Sequence, residues 1–251
     1  MGFLQQLTGR YNRNARLVPA ILVALPLIVL AVTSVPVLVT IWSKVGTVVV
    51  AAGLPFVFAQ VVRDRGLRIE PTLYAAWGGR PSEVMLRWRA SPTTAAVARR
   101  HELIKRHLAI TLPDAAAEAA DPPEADDAYA VATAALRERT RDTARFHMLF
   151  DANINYGFRR NAHACKTPAI VVCVVTAAVT LVVARLSIVS LGWKQQVGLV
   201  GFDAAAALAW LWWSTTDAVR RAAETYARQL FASLEVFGNE QSAPSAPPDT
   251  T

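Results

Sequence analysis

Cysteine is scarce in this sequence, and the motifs that mark catalytic or metal-binding sites are missing. The chain of 251 residues has two cysteines, Cys165 and Cys173, which would lie about 12 Å apart along one helix, too far for a disulfide. The four histidines show neither an HExxH pattern nor a paired spacing. P-loop, GxGxxG and GxSxG motifs are absent as well. The sequence therefore indicates free thiols and identifies no catalytic residue, metal ligand or cofactor.

Charge is almost absent from four long stretches, although 18% of all residues are charged. The stretches are 17–35, 39–62, 168–184 and 196–216. A helix formed by the first would be about 28 Å long, close to the thickness of the hydrocarbon core of a bilayer. Over such a length in lipid, a helix satisfies its own backbone hydrogen bonds. The sequence therefore predicts four transmembrane helices, arranged as two antiparallel hairpins.

The distribution of basic residues predicts how these hairpins are oriented. Arginine and lysine cluster at the four outer flanks, whereas the connecting loops and the helix ends next to them carry only Lys44, Arg185 and Lys194. The positive-inside rule then places both termini and the central segment in the cytoplasm, at a bacterial inner membrane. A secretory signal is the competing interpretation of the first stretch, but that stretch exceeds a signal core and a second one follows almost at once. Nucleic acid is the disfavoured partner for the net charge of +7.

These patterns predict an all-α membrane protein in which two transmembrane hairpins flank a mainly helical cytosolic domain. The predicted divisions are a cytosolic N-terminus (1–16), a first transmembrane hairpin (17–62), a cytosolic helical domain (63–167), a second transmembrane hairpin (168–216), a cytosolic helix that extends the fourth transmembrane helix (217–237) and a disordered tail (238–251). Trp210, Trp212 and Trp213 suit an aromatic belt at the membrane boundary. The lipid bilayer is the main expected partner, and a homo-oligomer is an open alternative.

Glycine, proline and apolar spacing predict the local structure of the central domain. Paired glycines mark a turn at Trp77–Pro81, after which Ser82 can cap a helix. Apolar residues at three-to-four spacing predict an amphipathic helix over 92–112, which either packs on the domain or lies on anionic lipid. The acidic, alanine- and proline-rich stretch 113–126 is expected to be a mobile loop, and a helix is expected over 125–148.

A heptad-like apolar seam marks the last predicted helix. Its members are Val219, Ala223, Tyr226, Leu230, Leu234 and Phe237. We expect the seam to pack on the central domain or on another subunit, and we expect Gly238 to end the helix.

Four short motifs lie between the predicted hairpins. They are WGGRP at Trp77–Pro81, LRWR at Leu86–Arg89, LRERTRD at Leu136–Asp142 and DANINYGFRRNAHACK at Asp151–Lys166. Together they resemble a family of uncharacterised bacterial four-helix membrane proteins with WGG-P, RTRD and N-YGFRRN motifs in the cytosolic segment. The sequence departs from that family at His163, Ala164 and Cys165, where the family has a glycine-containing stretch. The family has no established activity, so the resemblance implies an architecture and no reaction.

Arginine dominates the polar positions of these motifs, and its forked donors suit phosphate or carboxylate. The ligand-binding candidates are Arg139, Arg141, Asp142, Asn155, Arg159 and Arg160, with Trp77, Arg80, Arg87 and Arg89 as a secondary group. One interpretation is a pocket for an anion or a nucleotide above the membrane. The alternative, favoured for most of these arginines, is a set of structural ion pairs and contacts with lipid head groups.

Two charged residues fall in predicted transmembrane helices. Asp203 would lie about 19 Å from the cytosolic end of its helix, and Lys44 lies nearer the outer face. An ionisable residue inside the membrane is a functional candidate, for instance as an Asp203–Lys44 pair. An equally favoured alternative is that Asp203 is protonated or faces water near the outer interface.

The first functional hypothesis is a non-enzymatic sensor or effector. Its cytosolic domain would bind a partner or an anionic ligand and act on the helix bundle. The alternatives are a membrane-anchored scaffold and an enzyme that uses the arginine and asparagine cluster on anionic substrates. A transporter is disfavoured, because four helices with one buried acid provide little of a transport pathway.

Overall fold

The structure is a computed structural model that describes residues 9–34, 54–91, 93–187 and 191–241, without the side chains of 54–56 and 238–241. Every regular element within these ranges is helical, which confirms the all-α class for this part of the chain. In chain order the elements are α1 (Arg10–Asn12), a π-helical segment (Arg13–Leu17), α2 (Val18–Ser34), α3 (Leu54–Ala76), α4 (Pro81–Val84), α5 (Thr94–Leu108), α6 (Ala115–Ala120), α7 (Pro122–Arg139), α8 (His147–Ala164), α9 (Lys166–Arg185), α10 (Trp193–Trp213) and α11 (Thr216–Gln241).

Among the residues that the structure describes, two helical segments are long and apolar enough to cross a membrane, namely Arg10–Thr33 with 24 residues and Lys166–Arg185 with 20 residues. Trp193–Trp213 and Thr216–Phe237 add a third if the pair, bent by 53° at its break, forms one broken span. The first and third predicted stretches thus coincide with candidate spans. Most of the second stretch and the loop before it lie outside the described residues. Two or three candidate spans are therefore supported, and four spans stay a prediction.

The chain divides into two compact units. Unit 1 comprises Met1–Pro71 and Ile154–Arg220, and unit 2 comprises Thr72–Asn153 and Arg221–Thr251. The divisions fall inside α3, α8 and α11. Each of these three helices therefore contributes residues to both units.

Unit 1 is built on α2, α9 and α10, which pack against one another. Its buried apolar clusters consist largely of small residues: Ala162 and Ala169 with Trp210, and Ala20 and Cys165 with Val62. Small side chains let helix backbones approach closely, which is the usual way in which transmembrane helices associate. Cys165 and Cys173 are free and buried, as the sequence predicts.

The outward faces of the same helices carry large aliphatic side chains. Val32 on α2, Val174 on α9 and Leu208 on α10 are exposed over 68%, 60% and 65% of their surface. Each would gain about 1.5–3 kcal/mol from being buried away from water. Exposed aliphatic faces of this kind are compatible with a lipid environment.

Unit 2 has a hydrophobic core of its own. Its buried members are Leu86, Ile104, Ala125, Tyr129, Ala132, Leu136, Phe146, Leu149, Leu230, Phe231, Leu234 and Phe237. The burial of Ile104 confirms that the amphipathic helix α5 packs in the domain, although it is shorter than predicted. Leu230, Leu234 and Phe237 confirm that the seam on α11 faces a core.

The expectation of a mobile loop over 113–126 is wrong, because its acidic residues start two helices. Asp114 is the N-cap of α6, and its carboxylate accepts from the amides of Ala116 and Ala117 at 3.0 and 2.8 Å. Asp121 likewise caps α7 and accepts from the amide of Glu124 at 3.0 Å. Aspartate at such positions satisfies free amides and complements the positive end of the helix dipole.

Three further local expectations need correction. The helix expected over 125–148 is interrupted, since α7 ends at Arg139 and α8 begins at His147. Arg80, not Ser82, is the N-cap of α4, because Pro81 occupies the first helical position and Ser82 is buried within the helix. The last helix continues past Gly238 to Gln241.

The predicted turn before α4 is confirmed. Gly78 and Gly79 have φ angles of 78° and 136°, a region that residues with a Cβ rarely adopt.

Candidate functional site

Two arginines and a histidine surround one aromatic ring in unit 2. The guanidinium carbons of Arg139 and Arg145 lie 5.7 and 5.2 Å from the ring centroid of Phe237. The rings of His107 and Phe146 lie 6.1 and 5.5 Å from the same centroid. Both guanidinium groups are within the range of a cation–π interaction with this ring. Arg145 also lies 5.0 Å from the ring centroid of Phe146. These five residues are called the Phe237 cluster below.

The loop between α7 and α8 positions both arginines. Arg139 is the last residue of α7, and the hydroxyl of Thr140 donates to a carbonyl of the preceding turn at 2.9 Å. The carboxylate of Asp142 accepts from the amides of Ala144 and Arg145 at 2.9 and 3.2 Å. The polar residues of the RTRD motif thus shape a compact turn, because their side chains satisfy its backbone groups.

A cavity of about 410 Å³ lies beside Arg145 in unit 2. Its lining includes Arg145, His147, Met148, Leu149, Gln229 and Val236. Met148 and Val236 are exposed over 61% and 41% of their surface. The volume lies in the range of small-molecule sites. An arginine at the edge of an apolar wall suits an anion with an apolar body.

The guanidinium groups of the candidates Arg139 and Arg141 differ in their interaction partners. Arg141 forms an exposed ion pair with Glu138 at 2.9 Å, an arrangement worth at most about 1 kcal/mol. In the part of the chain that the structure describes, the exposed guanidinium of Arg139 has no ion pair or hydrogen bond, only the contact with Phe237. Arg139 is therefore the better anion ligand of the two.

Arg160, a predicted ligand residue in unit 1, is buried in a structural network. It is 8% exposed at its side chain, forms an ion pair with Glu70 and donates to Asn161 at 3.2 and 3.1 Å. Asn161 in turn donates to the carbonyl of Ala15 at 2.7 Å, and Tyr156 donates to Glu70 at 3.1 Å. Burial lowers the pKa of Arg160, but the neighbouring Glu70 carboxylate more than compensates and raises it. The N–H donors of Arg160 thus contact Glu70 and Asn161 and stabilise the fold.

The remaining predicted ligand residues of unit 1 are more accessible. The guanidinium carbon of Arg159 lies 5.0 Å from the ring centroid of Trp213, and Asn155 is exposed. Arg139, Arg141 and Asp142 belong to unit 2, whereas Asn155, Arg159 and Arg160 belong to unit 1. A joint site of all six residues stays a prediction.

Arg87 and Arg89, from the secondary group, pair with buried or half-buried carboxylates. Arg87 donates to Asp126 at 2.7 and 3.0 Å, and Arg89 donates to Asp126 at 2.8 and 2.7 Å. Arg89 also donates to Glu118 at 2.7 Å. These pairings match the structural interpretation of both arginines.

Glu118 is the most buried carboxylate of this network, 2% exposed. It accepts from the hydroxyl of Tyr129 at 2.6 Å and from the amides of Trp88 and Arg89 at 2.8 and 3.2 Å. Burial alone raises the pKa of Glu118, but these hydrogen bonds and the Arg89 guanidinium lower it below its ordinary value. Burial, together with the same carboxylate, raises the pKa of Tyr129. Glu118 is therefore a charged residue of the core.

Trp77 and Arg80 lie at the turn before α4. The rings of Trp77 and Tyr74 are 6.0 Å apart, and the guanidinium carbon of Arg80 is 5.6 Å from the centroid of Tyr74. Arg80 also pairs with Glu83 at 3.4 Å. The residues stabilise a surface turn and line no described cavity.

Asp203 is 4% exposed on α10. Lys44, the predicted partner, lies outside the described residues. The pairing of Asp203 with Lys44 stays a prediction.

Sequence reasoning missed Arg145, His107 and Phe237 as parts of one cluster. Phe237 was noted only as a member of the apolar seam, and no spacing links these residues. In the ranges that the structure describes, no group of three or more His, Cys, Asp or Glu could hold a metal ion. No family model, curated protein or solved structure matches the chain.

Proposed function

We propose that this protein is a non-enzymatic membrane effector of the bacterial inner membrane. Unit 2 binds an anionic ligand, and binding acts on the apolar helices of unit 1. The observation that carries the proposal is the Phe237 cluster, in which Arg139 and Arg145 lie against one ring. Two of its members, Arg145 and Phe146, line a cavity of about 410 Å³. Unit 2 is taken to face the cytoplasm, as the positive-inside rule predicts.

The cluster favours a ligand that carries phosphate. Guanidinium forks match phosphate oxygens and form charge-assisted hydrogen bonds, which are the strong ones. The apolar wall formed by Met148, Leu149 and Val236 favours a ligand with an apolar or aromatic body, such as a nucleotide, over a bare inorganic anion.

The helices α3, α8 and α11 supply a route from ligand to membrane. Each contributes residues to both units, and a continuous helix transmits a shift at one end to the other. In the proposal, ligand binding at the Phe237 end of α11 changes the packing of the unit 1 helices. The proposed activity is the recognition of an anion and involves no covalent step.

Binding is tested on the full chain in detergent by titration calorimetry with ATP, AMP and inorganic phosphate. Arg139→Gln and Arg145→Gln are each expected to weaken the binding of ATP or AMP about tenfold or more, since a hydrogen bond to a charged group contributes about 1.5–3 kcal/mol. The matched control is Arg106→Gln, which removes the same charge from an exposed pair with Glu102. Equal loss in the control, or no binding of any probe by the wild type, contradicts the proposal.

The effector step is tested in liposomes loaded with a fluorescent dye. The nucleotide that binds in the calorimetric titration is added to the proteoliposomes. It is expected to release the dye from those that contain the wild type and not from those that contain Arg139→Gln. Binding without any release favours the scaffold alternative. Consumption of the nucleotide by the wild type favours the enzyme alternative.

A further inference from the structure

An apolar groove in unit 1 runs between the first half of α2 and the second half of α10. Its volume is about 350 Å³, and its lining includes Leu22, Leu25, Pro26, Phe202, Ala206 and Trp213. All nine residues that line it have apolar or aromatic side chains. The small side chains of α10 open the groove, because alanine leaves space that a larger residue would fill.

The groove has the length of one acyl chain within one leaflet. From Phe202 to Trp213, α10 rises about 17 Å, and half of a hydrocarbon core is about 15 Å thick. The lining comes from the start of α2 and the end of α10, so the groove lies at a single end of these helices. That end is the one that carries Arg13 and Arg16 before α2.

Cationic side chains lie at the Trp213 end of this groove. The guanidinium carbon of Arg159 is 5.0 Å from the centroid of Trp213. The ammonium group of Lys166 donates to the carbonyls of Leu211 and Ser214 at 3.2 and 3.1 Å. Across the described ranges, Arg159 has no ion pair or hydrogen bond, so its five N–H donors are available to a ligand.

We infer that this groove holds one acyl chain of an anionic phospholipid whose phosphate binds Arg159. The inference rests on the membrane insertion in the proposed function, but not on any ligand of the Phe237 cluster. An occupant that is apolar over about 17 Å and negative at one end matches the groove and the arginine together. A lipid also reaches a groove on apolar helices from within the bilayer, whereas a water-soluble ligand must leave water to do so.

Retention of lipid by the full chain tests the inference. The protein is purified in a mild detergent, mixed with phosphatidylglycerol or phosphatidylcholine, and examined by native mass spectrometry. We expect the wild type to retain one phosphatidylglycerol in preference to phosphatidylcholine. Arg159→Gln is expected to reduce that retention about tenfold, the loss of a charge-assisted contact, and Ala206→Phe to reduce it by filling the groove.

Matched controls separate this site from general adhesion of lipid. Arg185→Gln removes a cation from the other end of α9, and Ala204→Phe adds the same ring at an exposed position of α10 that does not line the groove. Both are expected to retain lipid as the wild type does. Inorganic phosphate at millimolar concentration is expected not to displace the lipid, which distinguishes a lipid head group from a free phosphate ligand.

Several outcomes would overturn the inference. Equal retention of the two lipids would do so, and so would unchanged retention by Arg159→Gln. Cross-linking of an Ala206→Cys variant to the chain's own second apolar stretch (39–62) would also overturn it. Extraction of the chain from cells without detergent would instead refute membrane insertion and the proposed function with it. An inserted protein that binds nucleotide but retains no lipid would refute the lipid site alone.

Discussion

Replacing Glu118 by alanine is expected to destabilise unit 2 by about 3–5 kcal/mol. The change removes the acceptor of the Tyr129 hydroxyl and of the Trp88 amide, together with one partner of Arg89. Tyr129 is 0% exposed, so water does not replace the lost acceptor. Each buried donor left without a partner costs about 1–3 kcal/mol. Arg89 retains Asp126, so its contribution to the loss is small.

Two milder variants make the estimate specific. Both oxygens of Glu118 accept hydrogen bonds. Glu118→Gln keeps one of these acceptors and turns the other into an NH2 group that faces donors, so a loss of about 2–3 kcal/mol is expected. Tyr129→Phe removes one donor and leaves the others in place, with an expected loss of about 1 kcal/mol. The loss of stability is therefore expected to be largest for Glu118→Ala, smaller for Glu118→Gln and smallest for Tyr129→Phe.

Hydrogen exchange of the full chain in detergent measures the loss where it occurs. For Glu118→Ala the amides of α6 and α7 are expected to exchange at least about a hundredfold faster, because each 1.4 kcal/mol changes an opening constant tenfold. Glu102→Ala, which breaks an exposed pair with Arg106, is expected to change exchange little. A Glu118→Ala protein whose opening free energy falls by less than about 1 kcal/mol would refute the reasoning.

Three other perturbations follow from the same structure. A Cβ at Gly66 would collide with a buried asparagine side chain, so Gly66→Ala is expected to lower the melting temperature, with a cost of about 1–3 kcal/mol. The control Gly201→Ala has open space around it and is expected not to lower the melting temperature, so equal melting temperatures of the two variants would contradict the prediction. Glu70→Ala leaves the buried Arg160 without its carboxylate and is expected to cost about 3–5 kcal/mol in a thermal melt; a loss no larger than that of an exposed pair would refute it. Burial lowers the pKa of His101, so on acidification the unfolded state takes up the proton first, and wild-type stability is expected to fall as pH drops below about 6.5. A His101→Phe protein whose stability depends on pH in this range as strongly as that of the wild type would contradict the prediction.

Periodic apolar patterns carried most of what the sequence could predict. The stripe on α5 and the seam on α11 depend on helical spacing, and both face the core of unit 2. The paired glycines predicted their turn because few other residues adopt a positive φ. The candidate spans also follow from local composition alone.

Polar residues were harder to predict because the same residue type can cap a helix, pair with a distant residue or stay in solvent, and composition does not distinguish these roles. Composition alone made 113–126 look like a loop, but Asp114 and Asp121 cap helices and Glu118 is a core acceptor. Arg139 was predicted as a ligand residue on the strength of its motif. Its neighbour on the ring, Arg145, was not, because Phe237 lies far along the chain.

The core of unit 2 combines residues from both sides of the apolar helices α9 and α10. During translation, Leu86 and Leu149 leave the ribosome well before Leu230, at a rate of about 5–20 residues per second. The earlier helices therefore wait for roughly 4–16 s while the intervening stretches are synthesised. Throughout that interval the apolar faces that α11 will cover are open to water, so the newly made chain is prone to aggregation until α11 has been synthesised.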